Sequence, residues 1–117
     1  DGELSPAVAR EYGPQLECAP CFPRRTNVQF MRVEDAHRVR IEIWERGAGY
    51  TLASGSSATA VAAVAMRLGY CQSPVTVSMP GGDLTVTAAA DMMLRQTGPT
   101  ALVCECRWFG RDGDQAF

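Results

Sequence analysis

Two short groups of residues near the middle of the chain carry the clearest chemistry. Glu45 and Arg46 place opposite charges side by side just before a glycine-rich turn, and residues 54–57 are three serines and a glycine. Adjacent opposite charges suit a zwitterion such as an amino acid, and small residues let a ligand approach the backbone closely. The pattern therefore predicts a binding site for a small zwitterionic ligand.

The segment after the serines is predicted to be a helix over about residues 55–68. Alanine, valine, methionine and leucine dominate it beyond the serines, interrupted by Thr59 and Arg67, and alanine has the highest helix propensity. The serines can cap its start, and Gly69 can end it. Because it is apolar on nearly every side and too short for a bilayer, which needs about 20 residues, we expect the sheet to enclose it.

The beginning of this helix is a candidate anion site. The first N–H groups of a helix lack intrahelical partners and lie at the positive end of its dipole, so they can hold a carboxylate or a phosphate. Plainer interpretations stay open. Residues 54–57 can serve only as a helix cap, and Glu45 and Arg46 can form a solvated ion pair at a strand end.

Alternation of apolar and polar residues predicts a sheet around the helix. Strands are expected at residues 26–33, 39–44, 75–79, 84–87, 92–97 and 101–108. The first two should pair antiparallel, the third and fourth should form a hairpin, and residues 1–13 should form a short helix stopped by Gly13 and Pro14. The prediction is one α+β domain over residues 1–117, with a curved antiparallel or mixed sheet, or a partial barrel, wrapped around one buried central helix.

Composition excludes several classes of function. The chain has 117 residues, of which 46% are hydrophobic and 21% charged, as is ordinary for a globular domain. A net charge of −2 provides no basic patch for nucleic acid. The first residues have the pattern of neither a signal peptide nor a membrane span, so we expect a cytoplasmic protein without a membrane partner.

Several spaced motifs together resemble the second half of diaminopimelate epimerases. The main motif is ERGAG at residues 45–49, followed by TLA, a small residue and an alanine-rich helix. The other motifs are FPRRTNVQF at residues 22–30, SPVTVSMPGGDLTV at residues 73–86 and TGP at residues 97–99. The resemblance implies a two-lobed epimerase with its active site between the lobes. It implies that this chain is the C-terminal lobe, that the N-terminal lobe is a missing partner, and that the chain alone is inactive.

The resemblance places Ser54 where the family carries one of its two catalytic cysteines. A thiolate at a helix N-terminus is a competent base because its pKa is lowered there. A serine hydroxyl is a far weaker base, and no neighbour in sequence is expected to activate it. Ser57 and Thr59 also depart from the family's glycine and cysteine, which favours natural divergence over one engineered change. His37, the only histidine, is a minor candidate.

The resemblance also implies which residues bind the substrate, expected to be a diamino dicarboxylate. The backbone amides of Gly55 and Ser56 would hold the α-carboxylate. Arg46 would bind the distal carboxylate, Glu45 the distal ammonium, and Asn27 would donate to the same end. The alternative for Asn27 is an asparagine that caps a turn. No pyridoxal phosphate, metal or other cofactor is implied.

Two rival functions stay open beside the epimerase. One is a catalytically silent binding or assembly module that lost its base at Ser54, and the other is a racemase of the same fold for another amino acid. Open sheet edges also predict self-association.

The five cysteines allow further alternatives. Cys18 and Cys21 could combine with Cys104 and Cys106 in a four-thiolate zinc site, and a structural disulfide is a further alternative. Because Cys104 and Cys106 would share one face of a predicted strand, we expect them to pack as small apolar residues.

Overall fold

The computed structural model describes residues 3–107, which form two helices and a mixed six-stranded sheet. The elements in chain order are α1 (Pro6–Glu17), β1 (Val28–Asp35), β2 (Arg38–Glu45), β3 (Gly49–Thr51), α2 (Gly55–Arg67), β4 (Val75–Met79), β5 (Gly82–Ala88) and β6 (Leu94–Thr97). The strand order is β1-β2-β4-β5-β6, and β3 pairs with the end of β2. The predicted α+β lobe with a mixed sheet is confirmed, and the sheet is open.

Strand β2 is the centre of the fold because both of its faces are covered. Its residues Val39, Ile41 and Ile43 alternate toward α2 and are fully buried in the core. On the opposite face Trp44 packs against α1. On one edge β2 pairs antiparallel with β1, as predicted. On its other edge the beginning of β2 pairs parallel with β4 and its end pairs antiparallel with β3.

Helix α2 packs on the sheet through one face only, so the expectation of an enclosed helix is wrong for the described residues. Ala58, Val61, Ala62 and Ala65 are buried in the core. On the opposite side Ser56, Ala60, Val64 and Arg67 are exposed, and Val64 is 51% exposed. The side chains on that face are mostly small, so an alanine-rich sequence looks apolar all round while leaving little apolar area in water.

Helix α1 extends past the predicted stop at Gly13 and Pro14. It begins after Ser5, whose hydroxyl accepts from the Val8 N–H, and it includes both Gly13 and Pro14 before it ends at Glu17. A Cβ at Gly13 would lie 2.5 Å from Cγ of Trp44, so the glycine permits close contact between α1 and β2. The tertiary contact therefore outweighs the local breaker signal.

The remaining strand predictions differ mainly at their ends. Residues 75–79 are confirmed, and the predicted hairpin between β4 and β5 is confirmed. The short β3 was missed. Residues 101–107 form no strand, which contradicts the last predicted one, and Trp108 lies outside the described residues. Leu102 and Val103 are 95% and 90% exposed, so no neighbouring strand of the described fold covers these apolar side chains.

Among residues 3–107, neither helix has the length and apolarity of a membrane span.

Candidate functional site

Ser54 is the N-cap of α2, as the capping interpretation predicts. Its backbone is extended, and its Oγ accepts from the N–H of Ser57 at 3.4 Å. Its carbonyl accepts from the N–H of Ala58 at 3.0 Å. The N–H groups of Gly55 and Ser56 are then the first donors of the helix without an intrahelical acceptor. They are the two amides expected to hold a carboxylate.

The Ser54 hydroxyl has a carboxylate partner that its sequence neighbours did not reveal. Ser54 Oγ donates to Oε1 of Glu45 at 2.6 Å, which is a short, charge-assisted hydrogen bond. Ser56 Oγ lies 3.2 Å from the same hydroxyl. This partner, Glu45, lies nine residues earlier in the chain and still reaches Ser54. The reason is that the turn and β3 fold the chain back, so that the end of β2 lies beside the start of α2.

Glu45 and Arg46 are adjacent in sequence but form no ion pair with each other in the described chain. Glu45 bonds Ser54, while Arg46 Nη1 donates to the carbonyl of Arg24 at 3.0 Å. The backbone N–H of Arg46 donates to Oδ1 of Asn27 at 2.8 Å. Asn27 therefore caps a turn, as one interpretation predicts. Its remaining Nδ2 group can only donate, which suits the expected contact with a carboxylate.

A cleft of about 420 Å³ lies beside these residues, between the start of α2 and the loop that precedes β1. Asn27, Arg46 and Ser56 line it, so the structure brings three of the six predicted site residues to one surface. Ser54, Glu45 and Gly55 do not line it directly, although Ser54 and Ser56 are in contact. The residues that complete the lining are Arg25, Thr26, Gln29, Ser57 and Ala60.

Gln29 and Ser57 are polar lining residues that the sequence reasoning did not single out as a pair. Gln29 Nε2 donates to Oγ of the buried Ser57 at 3.0 Å. This bond connects β1 to the first turn of α2 across the cleft. The signal for Gln29 was its position two residues after Asn27, which places both side chains on the same face at the start of the strand.

Gln96 of β6 closes the other side of the helix start. Its Oε1 accepts from Thr59 Oγ1 at 2.9 Å, and the same hydroxyl lies 2.9 Å from the carbonyl of Gly55. A Cβ at Gly55 would lie 2.8 Å from Gln96 Nε2, so the glycine lets this amide lie directly over the first turn. No local pattern marks Gln96, because only the sheet order brings β6 to α2.

The remaining candidates lie away from this cleft. His37 Nδ1 is 2.9 Å from the carbonyl of Gln72, so its ring holds a loop in place. All five cysteines are free thiols, and Cys104 and Cys106 are exposed, which contradicts their expected packing. Within residues 3–107, no three histidine, cysteine or acidic residues are grouped to hold a metal ion.

Comparison with known proteins places this geometry in a family. The family model described as diaminopimelate epimerase matches residues 2–103. The chain belongs to the diaminopimelate epimerase family. It is 54% identical over 95 residues to diaminopimelate epimerase 2 of Nostoc sp., covering 81% of this chain and 33% of that relative. Identity to the diaminopimelate epimerase of Azotobacter vinelandii is 46% over 100 residues, covering 85% of this chain and 36% of the relative.

The diaminopimelate epimerase of Methylobacterium sp. is similar to the same degree, at 46% identity over 99 residues. The chain spans about a third of the length of these curated relatives, between 32% and 36%. A diaminopimelate epimerase is an isomerase. The matched region includes the loop at Asn27, the Glu45–Arg46 pair and the start of α2, so the family similarity covers the whole candidate site.

Proposed function

We propose that this chain is the C-terminal lobe of a diaminopimelate epimerase, which converts LL-diaminopimelate to the meso isomer for lysine and peptidoglycan precursor synthesis. It would act with an N-terminal lobe and without pyridoxal phosphate or metal. The observation that carries the proposal is the short hydrogen bond from Ser54 to Glu45 at the start of α2. It supplies a proton acceptor where the family similarity implies an acid/base.

The proposed chemistry inverts the α-carbon by moving protons on opposite faces. Ser54 Oγ removes the α-proton and passes its own proton to Glu45 Oε1, so the Cα–H bond breaks and Glu45 becomes neutral. The electron pair left on the α-carbon is delocalised into the α-carboxylate, which the Gly55 and Ser56 amides stabilise. An acid on the other lobe delivers a proton to the opposite face.

This geometry changes the role proposed for Glu45. Since Ser54 acts at the α-carbon and the first amides of α2 hold the α-carboxylate, Glu45 lies at the α end of the substrate. The distal ammonium is therefore not its partner. Arg46 and Asn27, which line the cleft, remain proposed for the distal carboxylate. A cytoplasmic location, expected from the sequence, is part of the same proposal.

One experiment separates this proposal from the two rivals. The complete gene product that carries this chain is mixed with LL-diaminopimelate in D₂O, and the α-hydrogen signal is followed by NMR. Loss of the signal together with formation of the meso isomer supports the epimerase. Saturable binding without exchange supports a silent binding module, for which the serine at position 54 is the favouring observation. Exchange only with amino acids that lack a distal carboxylate supports a different racemase.

A further inference from the structure

Arg25 is a second guanidinium on the candidate cleft that the sequence analysis assigned no role. It lies in the loop between α1 and β1 and lines the cleft together with Asn27 and Arg46. Its backbone has a φ of 59°, in the left-handed region that residues other than glycine rarely adopt. Such a conformation persists when surrounding contacts fix it, and it is often found at ligand sites.

Glu17 is the ion-pair partner of Arg25. Glu17 is the last residue of α1 and only 6% exposed, and its Oε1 lies 3.1 Å from Arg25 Nη1. Its other oxygen, Oε2, accepts from Trp44 Nε1 at 2.7 Å. No hydrogen bond with good geometry reaches Oε1 from the described residues, so the Arg25 charge is its compensation.

The position of Glu17 is unfavourable for the helix itself. A carboxylate at the C-terminal end of a helix opposes the helix dipole, and a buried charge is costly unless it is paired. Helix stability therefore does not explain a glutamate here. Its contacts do, because the Glu17 side chain joins Arg25 to Trp44 of β2, and its carbonyl accepts from the backbone N–H of Thr26 at 3.2 Å. The end of α1 thus positions the loop that lines the cleft.

Both guanidinium groups keep donors for a ligand. A guanidinium has five N–H donors, and Arg46 uses Nη1 on the carbonyl of Arg24 while Arg25 directs Nη1 to Glu17. The Glu17 charge also reduces repulsion between the two cations. We propose that Arg25, positioned by Glu17, is a second guanidinium that binds the distal carboxylate and thereby selects a dicarboxylic substrate. This inference rests on the proposed function.

The test compares two probes that differ only in the distal carboxylate. LL-diaminopimelate and L-lysine are titrated calorimetrically into the complete gene product and its Arg25→Gln variant. We expect Arg25→Gln to weaken diaminopimelate binding by about tenfold or more, as loss of a charge-assisted contact does, and to leave lysine binding within about twofold. Arg24→Gln is the matched control, because Arg24 contributes only its backbone carbonyl to the site.

A second variant tests the positioning role of Glu17. Glu17→Gln keeps an acceptor for Trp44 Nε1 but removes the charge beside Arg25, so it should lower the diaminopimelate preference in the same direction as Arg25→Gln. Equal weakening of both probes in Arg25→Gln would show a structural role and overturn the inference. An unchanged preference would also overturn it and leave the proposed function intact. A wild-type protein that binds neither probe overturns both.

Discussion

The hydroxyl of Ser54 donates to the carboxylate of Glu45 at 2.6 Å, although the two residues belong to different elements. Glu45 ends β2, and Ser54 caps α2. A serine hydroxyl is a very weak acid, so it can act as a base only if another group accepts its proton. Glu45 is positioned to be that acceptor. The first amides of α2 lie at the same helix start, so the proposed α-carboxylate site adjoins the Ser54–Glu45 pair.

Gly13 is predicted to resist substitution although it lies inside a helix. Helix propensity alone would make Gly13→Ala more stable by about 1 kcal/mol. The Cβ would lie 2.5 Å from Trp44 Cγ, so we expect a net loss of about 1–3 kcal/mol in the free energy of unfolding, measured by urea denaturation. Ala7→Gly, at an exposed position of α1, reports propensity alone. A gain in stability for Gly13→Ala would contradict the close contact.

Tyr50 is predicted to give a pH-dependent contribution to stability. Burial, followed by its hydrogen bond and charge interaction with Glu42, raises the pKa of Tyr50 to about 12, while the Arg10 guanidinium over its ring acts in the opposite direction. The Tyr50 hydroxyl donates to Glu42 Oε2 at 2.6 Å. The folded state holds this proton more tightly than the unfolded state, whose pKa is 10.0. The stabilisation is therefore complete below about pH 10 and lost as the pH rises toward about 12.

The measurement is the ultraviolet absorbance titration of the tyrosinate. The folded protein should show a tyrosine ionisation near pH 12, which Tyr50→Phe removes and Tyr70→Phe retains. If Tyr50 ionises at the same pH in the folded and the denatured protein, the hydrogen-bonded pair is disproved.

Cys71 is predicted to be the least reactive thiol of the described residues. It is 4% exposed, its Sγ donates weakly to the carbonyl of Asp35, and burial, with the Asp35 charge second, raises its pKa. The thiolate is the reactive form, so iodoacetamide should label Cys71 at least about tenfold more slowly than Cys18, by mass spectrometry of peptides. In urea the rates should converge. Equal rates in the folded protein would place Cys71 outside the core.

Local sequence patterns predicted the helix start and the strands that local residues determine. They missed the features that depend on contacts between distant parts of the chain. Strand β4 and the start of α2 follow from alternation and from the Ser54 cap, so they were predicted correctly. The extension of α1 through Gly13 depends on Trp44 of β2, which no local window contains. Residues 101–107 alternate like a strand but have no neighbouring strand in the described fold.

The candidate site shows the same division. Small residues and paired charges indicated Glu45, Arg46 and the helix amides, and the family resemblance indicated Asn27 and the catalytic position of Ser54. The hydrogen bond from Ser54 to Glu45 depends on the turn that leads through β3, so the local sequence did not indicate it, and the role that we propose for Glu45 at the α end of the substrate was not predicted. Gln96 reaches α2 only through sheet order, and it carried no signal.

The most direct test of the central claim is the rate at which the α-hydrogen of LL-diaminopimelate exchanges in D₂O with Glu45→Gln, compared with the wild-type complete gene product. If Glu45 accepts the proton from Ser54, exchange at saturating substrate should fall by about 10²- to 10⁴-fold, because glutamine keeps the hydrogen bond but takes no proton. Exchange at the wild-type rate would contradict the account and exclude the Ser54–Glu45 pair as the acid/base.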